Sequence, residues 1–314
     1  MNGVPDISVL MSVKNGHPHL GQAVESILAQ TFTDFELVVV DNASQDGSAD
    51  YIESVARRDP RIVLLRNERD LGHSGGLNRG LAVCRGEWVA RMDADDVAMP
   101  GRLERQLEFV RENPDVPATS CVAWYIDPNG KRVGRTVVFL TTRKEFRHFR
   151  NNNLPIAILH PGAFIRRDLL ESLGGYRGQF DPANDVDLWC RISDERVILV
   201  LPEPLIEYRV HGSSVSSHQY EHARLKQLWA RDCTIARRAG GPEPSWEEFL
   251  AGRRAAPWWL RLNRWRKMHA KRLYRQSAQD HLCSRRVRSL MGMALAALLQ
   301  PEYTLPRLMT QRLG

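Results

Sequence analysis

Between residues 7 and 92, four short apolar runs alternate with segments whose apolar residues recur at helical spacing. Few folds accommodate this pattern, because neighbouring parallel strands need a crossover connection and a helix supplies it. The spacing predicts strands over 7–13, 35–40, 62–65 and 88–92. It predicts helices over 20–29 (Leu20, Val24, Ile27 and Leu28 on one face), over 48–58 behind the capping sequence Asp46-Gly47-Ser48, and over 76–84. Residues 37–40 (LVVV) form an uninterrupted apolar run, as in a strand covered on both faces. The expected fold is α/β, with a mainly parallel, doubly wound sheet and helices on both faces. Such sheets bind ligands beyond the carboxyl ends of their strands, where the strand order reverses. Asp41 follows the second predicted strand, and Asp93, Asp95 and Asp96 follow the fourth.

Further along, a helix is expected over 102–111, stopped by Asn113-Pro114. A hairpin is expected from 119–126 to 132–139 around Pro128-Asn129-Gly130, then a helix at 188–192 and a strand at 197–201. No internal repeat or low-complexity tract is present. Near residue 218 the character changes to Arg-rich and Trp-rich helix, broken at 240–244 and again at Ala256-Pro257. This divides the chain into an α/β domain over 1–217 and a basic helical region over 218–314.

The charge follows the same division. Residues 224–314 carry 19 Lys and Arg against 6 acids, whereas residues 1–223 carry 25 against 31. Such asymmetry marks a basic arm that meets an anionic surface. The composition, 43% hydrophobic and 26% charged, excludes a disordered, collagen-like or polytopic membrane chain. The longest apolar candidate, 290–299, is half of the roughly 20 residues that span a bilayer. The opening MNGVPDISVL lacks the basic region and cleavage site of a secretory signal. Five cysteines (Cys84, Cys121, Cys190, Cys233, Cys283) are scattered with no C-x-x-C pair, which predicts reduced thiols rather than disulfides or a zinc module. The expected location is cytoplasmic.

Asp93-Ala94-Asp95-Asp96 is the strongest chemical signal. Alternating carboxylates at a strand end gather hard oxygen ligands, which suit Mg²⁺ or Mn²⁺ shared with substrate phosphates. The competing reading is a solvated acidic turn that caps the next helix. Asp41 likewise has two readings: acceptor for the imide N–H of a pyrimidine base, or cap of the following helix.

Five segments taken together are more specific. SVLMSVKN (8–15), ESILAQTF (25–32), VVDNASQD (39–46), DADD (93–96) and YRVHGSSVS (208–216) resemble, in order and spacing, the landmarks of the family 2 glycosyltransferases. The resemblance implies the Rossmann-like GT-A fold and an inverting enzyme that uses a nucleotide-diphosphate sugar, UDP-type first, with Mn²⁺ or Mg²⁺. By the same resemblance Asp41 binds the nucleotide base, with Asn42 beside it where relatives carry a second acid. Asp93 lies near ribose or sugar hydroxyls and toward the metal, and Asp95 lies on the metal. Asp185, in Asn-Asp-Val-Asp-Leu-Trp, is the general base, with Asp187 as the competing candidate. His211 matches a position that in some relatives reaches the metal or diphosphate. Residues 72–80 (GHSGGLNRG), including Asn78, suggest a glycine-rich substrate loop before a helix, and His160-Pro161-Gly162 resembles the acceptor-side loop.

Residues 253–288 hold twelve Lys and Arg and one acid, Asp280, while Trp258, Leu262, Trp265 and Leu273 share a helical face. This is the pattern of a helix lying in an anionic membrane interface; the alternative is a helical subdomain that packs its tryptophans inward. Expected partners are therefore a nucleotide sugar, a saccharide or lipid-linked acceptor and an anionic membrane surface. No nucleic acid is expected, since no reader motif accompanies the charge. Two rivals stand beside the transferase: a sugar-nucleotide nucleotidyltransferase, whose N-terminal phosphate signature is absent from residues 12–18, and a nonenzymatic polyanion-binding protein driven by the tail.

Overall fold

The computed structural model describes residues 3–210, 220–282 and 286–304. They fall into two compact units, Met1–Arg209 and Val210–Gly314. The first unit is built on one mixed sheet. Its parallel half contains β1 (Ile7–Val13), β2 (Phe35–Asp41), β3 (Ile62–Arg66) and β4 (Trp88–Met92), connected by α1 (Leu20–Leu28), α2 (Ser48–Ala56) and α3 (Gly72–Leu81). The other half contains β5 (Val97–Ala98), β6 (Ala118–Ile126), β7 (Arg132–Arg135), β8 (Phe164–Arg166) and β9 (Ile198–Arg209). The helices α4 (Arg102–Glu112), α5 (Arg143–Asn151), α6 (Arg167–Ser172) and α7 (Asn184–Glu195) lie between them in sequence. Strand order is β3-β2-β1-β4-β8-β6-β9-β5, with β7 paired to β6. Pairing is parallel from β3 through β4 and antiparallel where β8 joins β4 and β6.

Period-two alternation assigns the faces. Ile7, Val9 and Met11 of β1, Leu37 and Val39 of β2, and Trp88, Ala90 and Met92 of β4 pack with α1, α2 and α4. Leu10, Val38 and Val89 point the other way, into a second core with Leu77 and Leu81 of α3 and Leu188, Trp189 and Ile192 of α7. A sheet covered on both faces offers polar chemistry only at its strand ends.

The glycine-rich stretch 72–80 differs from its expected loop: it is the body of α3. A Cβ on Gly76 would lie 2.3 Å from Ser12 Oγ, and one on Gly80 would lie 2.4 Å from Leu10 Cδ1. These glycines therefore bring a helix close to the sheet. The expected 76–84 helix is this same element, begun four residues earlier. The run predicted for 197–201 extends to Arg209, because β9 continues along β6 through an irregular register near Cys121 and Val122.

The second unit holds α8 (Tyr220–Arg238), α9 (Trp246–Ala255), α10 (Trp258–Leu282) and α11 (Arg286–Leu299). Ser245 and Glu248 form a capping box at the start of α9. Trp229 donates to the Pro244 carbonyl at 2.7 Å, and the Lys226 ammonium lies 4.0 Å from the Trp246 ring centre. A Cβ on Gly292 would meet Ser277 Oγ at 2.1 Å, so α10 and α11 touch closely there. Among the described residues no helix is long and apolar enough to cross a membrane. The four described cysteines are buried and not disulfide-bonded.

Gly86 precedes β4 against the backbone of β1; a Cβ there would lie 2.4 Å from Ser8 N and 2.6 Å from the Ile7 carbonyl carbon. Gly86→Ala is therefore expected to destabilise the protein by about 2–3 kcal/mol, the usual cost of overpacking against unyielding atoms. Urea denaturation read by circular dichroism checks this.

Candidate active site

The carboxyl ends of β1, β2 and β4 lie side by side, with Val13 opposite Asp41. Asp41 is buried. Its Oδ2 accepts the Ser44 N–H at 3.3 Å, while Oδ1 has no hydrogen-bond partner among the described residues. An open cleft of about 480 Å³ adjoins it, lined by Asp41, Ser44, Gln45, Arg66, Asn67 and Glu68 among others. The neighbouring Asn42 is fully engaged. Its amide donates to Asp70 (2.6 Å) and the Gly72 carbonyl (3.1 Å), and its oxygen accepts from Asn67 (2.8 Å) and the Leu71 N–H (3.0 Å). Asn42 thus holds the loop beside the cleft. Asn78 has a similar part: its amide bonds both the carbonyl (2.7 Å) and the N–H (2.8 Å) of Tyr176, tying α3 to the loop after α6. Each asparagine thus braces a loop beside the site.

Past β4, Asp93, Asp95 and Asp96 bring carboxylate oxygens within 4.8 Å of one another. The turn that carries them is tied down from β9. The Arg209 N–H donates to Asp96 Oδ1 at 2.8 Å, and its guanidinium donates to the carbonyls of Asp95 (2.8 Å), Asp127 (3.2 Å) and Pro128 (3.1 Å) and to Gln22 (2.7 Å). Burial, followed by the charges of Asp93 and Asp95, pushes the Asp96 carboxyl well above its ordinary range. Its Oδ2 is buried without a partner among the described residues. Hard oxygen donors crowded together and short of positive charge fit Mg²⁺ or Mn²⁺.

The third part comes from α7. Asp185 stands in its first turn, partly exposed, and its pKa is pushed up to about 6, chiefly by burial, with backbone N–H groups of the helix start and Arg91 opposing the rise and Asp93 adding to it. Asp187, two residues on, is 1% exposed and clamped by Arg177 and by Arg191 (2.9 Å). The rival aspartate is therefore committed to a buried ion-pair network. Asn184 donates to Ser74 Oγ at 2.8 Å and so fastens α7 to α3. His160, expected on an acceptor-side loop, is buried beneath the site, with Nε2 3.0 Å from the Tyr176 hydroxyl. His211 lies outside the described residues. Arg91, which reaches Asp93 from β4, and Arg209 join the site without a local sequence motif, although period two along β4 places Arg91 on the face with α3.

Residues 8–174 match the model of glycosyl transferase family 2. The chain belongs to that family. It is 30% identical over 235 residues to an uncharacterized glycosyltransferase of Methanocaldococcus jannaschii, covering 72% of this chain and 80% of that one. With the Escherichia coli O-antigen biosynthesis glycosyltransferase WbnJ it shares 32% over 216 residues, 66% of this chain and 81% of the relative. Among solved structures, S. aureus TarS in complex with UDP-GlcNAc superposes with a TM-score of 0.57 at 17% identity, covering 94% of this chain and 92% of that one. The mannosyltransferase PcManGT of Pyrobaculum calidifontis, in complex with GDP-Man and Mn²⁺, gives 0.56 at 22%, covering 96% and 88%. The fold is GT-A.

The two aspartates of α7 should separate on stability. Asp187→Asn leaves two guanidinium groups short of a buried counter-charge and is expected to cost about 3 kcal/mol or more. Asp185→Asn removes a carboxylate that the fold holds against its preference for the neutral form. Its folded pKa lies above the unfolded value, so charge at pH 7 works against the native state, and the variant should match or exceed the wild type. Thermal melts at pH 7 check both.

Proposed function

We propose that this glycosyltransferase is a divalent-metal-dependent inverting enzyme. It moves a sugar from a nucleoside-diphosphate donor, UDP-type, to an acceptor hydroxyl in cell-surface polysaccharide or lipopolysaccharide synthesis. The observation that carries the reading is the convergence at one sheet edge of the Asp93–Asp95–Asp96 oxygens and of Asp185, a carboxyl whose pKa is pushed up to about 6. Relatives whose names specify O-antigen, amylovoran and succinoglycan biosynthesis support the acceptor class. Neighbours in complex with UDP-GlcNAc, or with GDP-Man and Mn²⁺, support the donor class.

In this reading Asp41 Oδ1 accepts the imide N–H of the base, and Asp93 meets ribose or sugar hydroxyls. Asp95 and Asp93 would hold the cation, which when bound supplies positive charge against the charge that builds on the departing diphosphate. Asp185 accepts the proton of the acceptor hydroxyl as that oxygen attacks C1 opposite the leaving group. One displacement inverts the anomeric centre, and no covalent nucleophile is needed. The experiment is calorimetry with Mn²⁺ and UDP or GDP, followed by turnover. Asp95→Asn should lose metal-dependent nucleotide binding. Asp185→Asn should keep it while kcat falls by about 10²–10⁴. With the base required ionised, kcat/KM should decline as pH drops through about 6. Full activity of Asp95→Asn or in excess chelator overturns the metal, and full activity of Asp185→Asn overturns the base.

The second unit supports work at an anionic membrane surface, at the inner face of the cell membrane. Trp258 is 73% exposed, and Trp259, Leu262 and Trp265 are exposed beside Arg254, Arg261, Arg266 and Lys267. On α11, Val287, Leu290, Met291, Leu295 and Leu298 form a further exposed apolar stripe. Each Lys or Arg near an anionic leaflet contributes about 1 kcal/mol, screened by salt, whereas the tryptophan face is insensitive to salt. The protein should sediment with phosphatidylglycerol vesicles at low salt and not with neutral ones. Salt should release much of it, and joint Ser replacement of Trp258, Leu262 and Trp265 should weaken the remainder. Equal sedimentation with both vesicles, or with neither, removes the membrane partner.

A further inference from the structure

We infer that Arg91 is a positioning residue of the donor site: its guanidinium holds Asp93 in the orientation that the metal and donor require. The inference rests on the site reading above and adds a residue to it.

Arg91 lies near the end of β4, where alternation turns it with Val89 toward α3 and α7, and it is 1% exposed. One terminal nitrogen donates to Asp93 Oδ1, while Nε and Nη1 have no partner among the described residues. The other buried arginines of this unit are spent on the fold. Arg102 donates to Gln106 (3.0 Å) and the Arg91 carbonyl (2.6 Å). Arg191 donates to the carbonyls of Leu173 (2.8 Å) and Gly175 (2.7 Å) as well as to Asp187. Arg209 serves three carbonyls and Gln22. Burying a cation is costly, and a fold-holding arginine recovers that cost through several hydrogen bonds. Arg91 bonds only a carboxylate of the cluster, which marks its task as the placement of that carboxylate.

The placement has a geometric consequence. With Oδ1 fixed from below by the sheet, Asp93 cannot turn both oxygens back into the protein, and its remaining acceptor capacity is left for a donor hydroxyl or a cation. The same charge reduces repulsion among Asp93, Asp95 and Asp96. It also acts on His160, Tyr176 and Asp185, so it lies beneath both halves of the site. Groups behind first ligands commonly set metal affinity in this way.

The test uses full-length Arg91→Met and Arg91→Lys, with Mn²⁺ affinity in the presence of UDP measured by calorimetry beside donor kcat and KM. Arg91→Met should bind Mn²⁺ about 10–100-fold more weakly, with a higher donor KM and lower kcat. Arg91→Lys keeps the charge without the fork and should lose less than Met but measurably more than nothing. A folded Arg91→Met with wild-type Mn²⁺ affinity and KM overturns the inference, even if its Tm has fallen, because a merely structural arginine would behave that way. Should Arg91→Met not fold, wild-type values for Arg91→Lys overturn it equally. Absence of Mn²⁺-dependent UDP binding in the wild type overturns the site reading and the inference together. Wild-type binding lost in Asp95→Asn but kept in Arg91→Met overturns the inference alone.

Discussion

Three carboxylates with oxygens within 4.8 Å of one another repel, and the repulsion grows as burial removes screening water. Much of the first unit is arranged to keep Asp93, Asp95 and Asp96 together regardless. Arg91 approaches Asp93 from inside the sheet, the Arg209 N–H takes one oxygen of Asp96, and β5 pairs with β9 just beyond the turn. The compensation is incomplete: Asp96 is still pushed far toward its neutral form. A site held together while short of positive charge is what the proposed cation would complete.

The means of holding it are guanidinium groups rather than apolar contacts. Arg102 reaches a carbonyl of β4, and Arg191 and Arg209 reach carbonyls beyond helix and strand ends. Carbonyls left unpaired in the interior would cost free energy. A planar fork with several N–H groups serves two or three at once. The acidic strand end thus rests on buried arginines, even though the unit as a whole is rich in acids.

The parallel half of the sheet was legible because its strands are apolar runs separated by helix-period segments, and Asp41 and Asp93 follow from where those runs end. Residues 72–80 were misread because glycine carries two opposite meanings, a flexible loop or a close helix-to-sheet approach. Only the positions of Ser12 and Leu10 decide between them. Asn42 and Asn78 also brace the fold, through Asp70, Asn67 and the Tyr176 backbone. Those partners lie 25 to 98 residues away in the chain and are out of reach of any local pattern. Arg209 was hidden for the same reason, with Asp95 114 residues away.

Asp185 and Asp187 differ through their environment. They are the same residue type in the first turn of one helix, and their separation of two residues turns them to different sides. Asp187 faces inward, where ion pairs with Arg177 and Arg191 make it part of the framework. Asp185 faces the sheet edge, where burial and Asp93 raise its pKa to about 6 and make proton uptake easy near neutral pH. The proposed general base needs that poise. Neither carboxylate can take over the other's part without moving the arginines, so the helix start fixes both the site and the support beneath it.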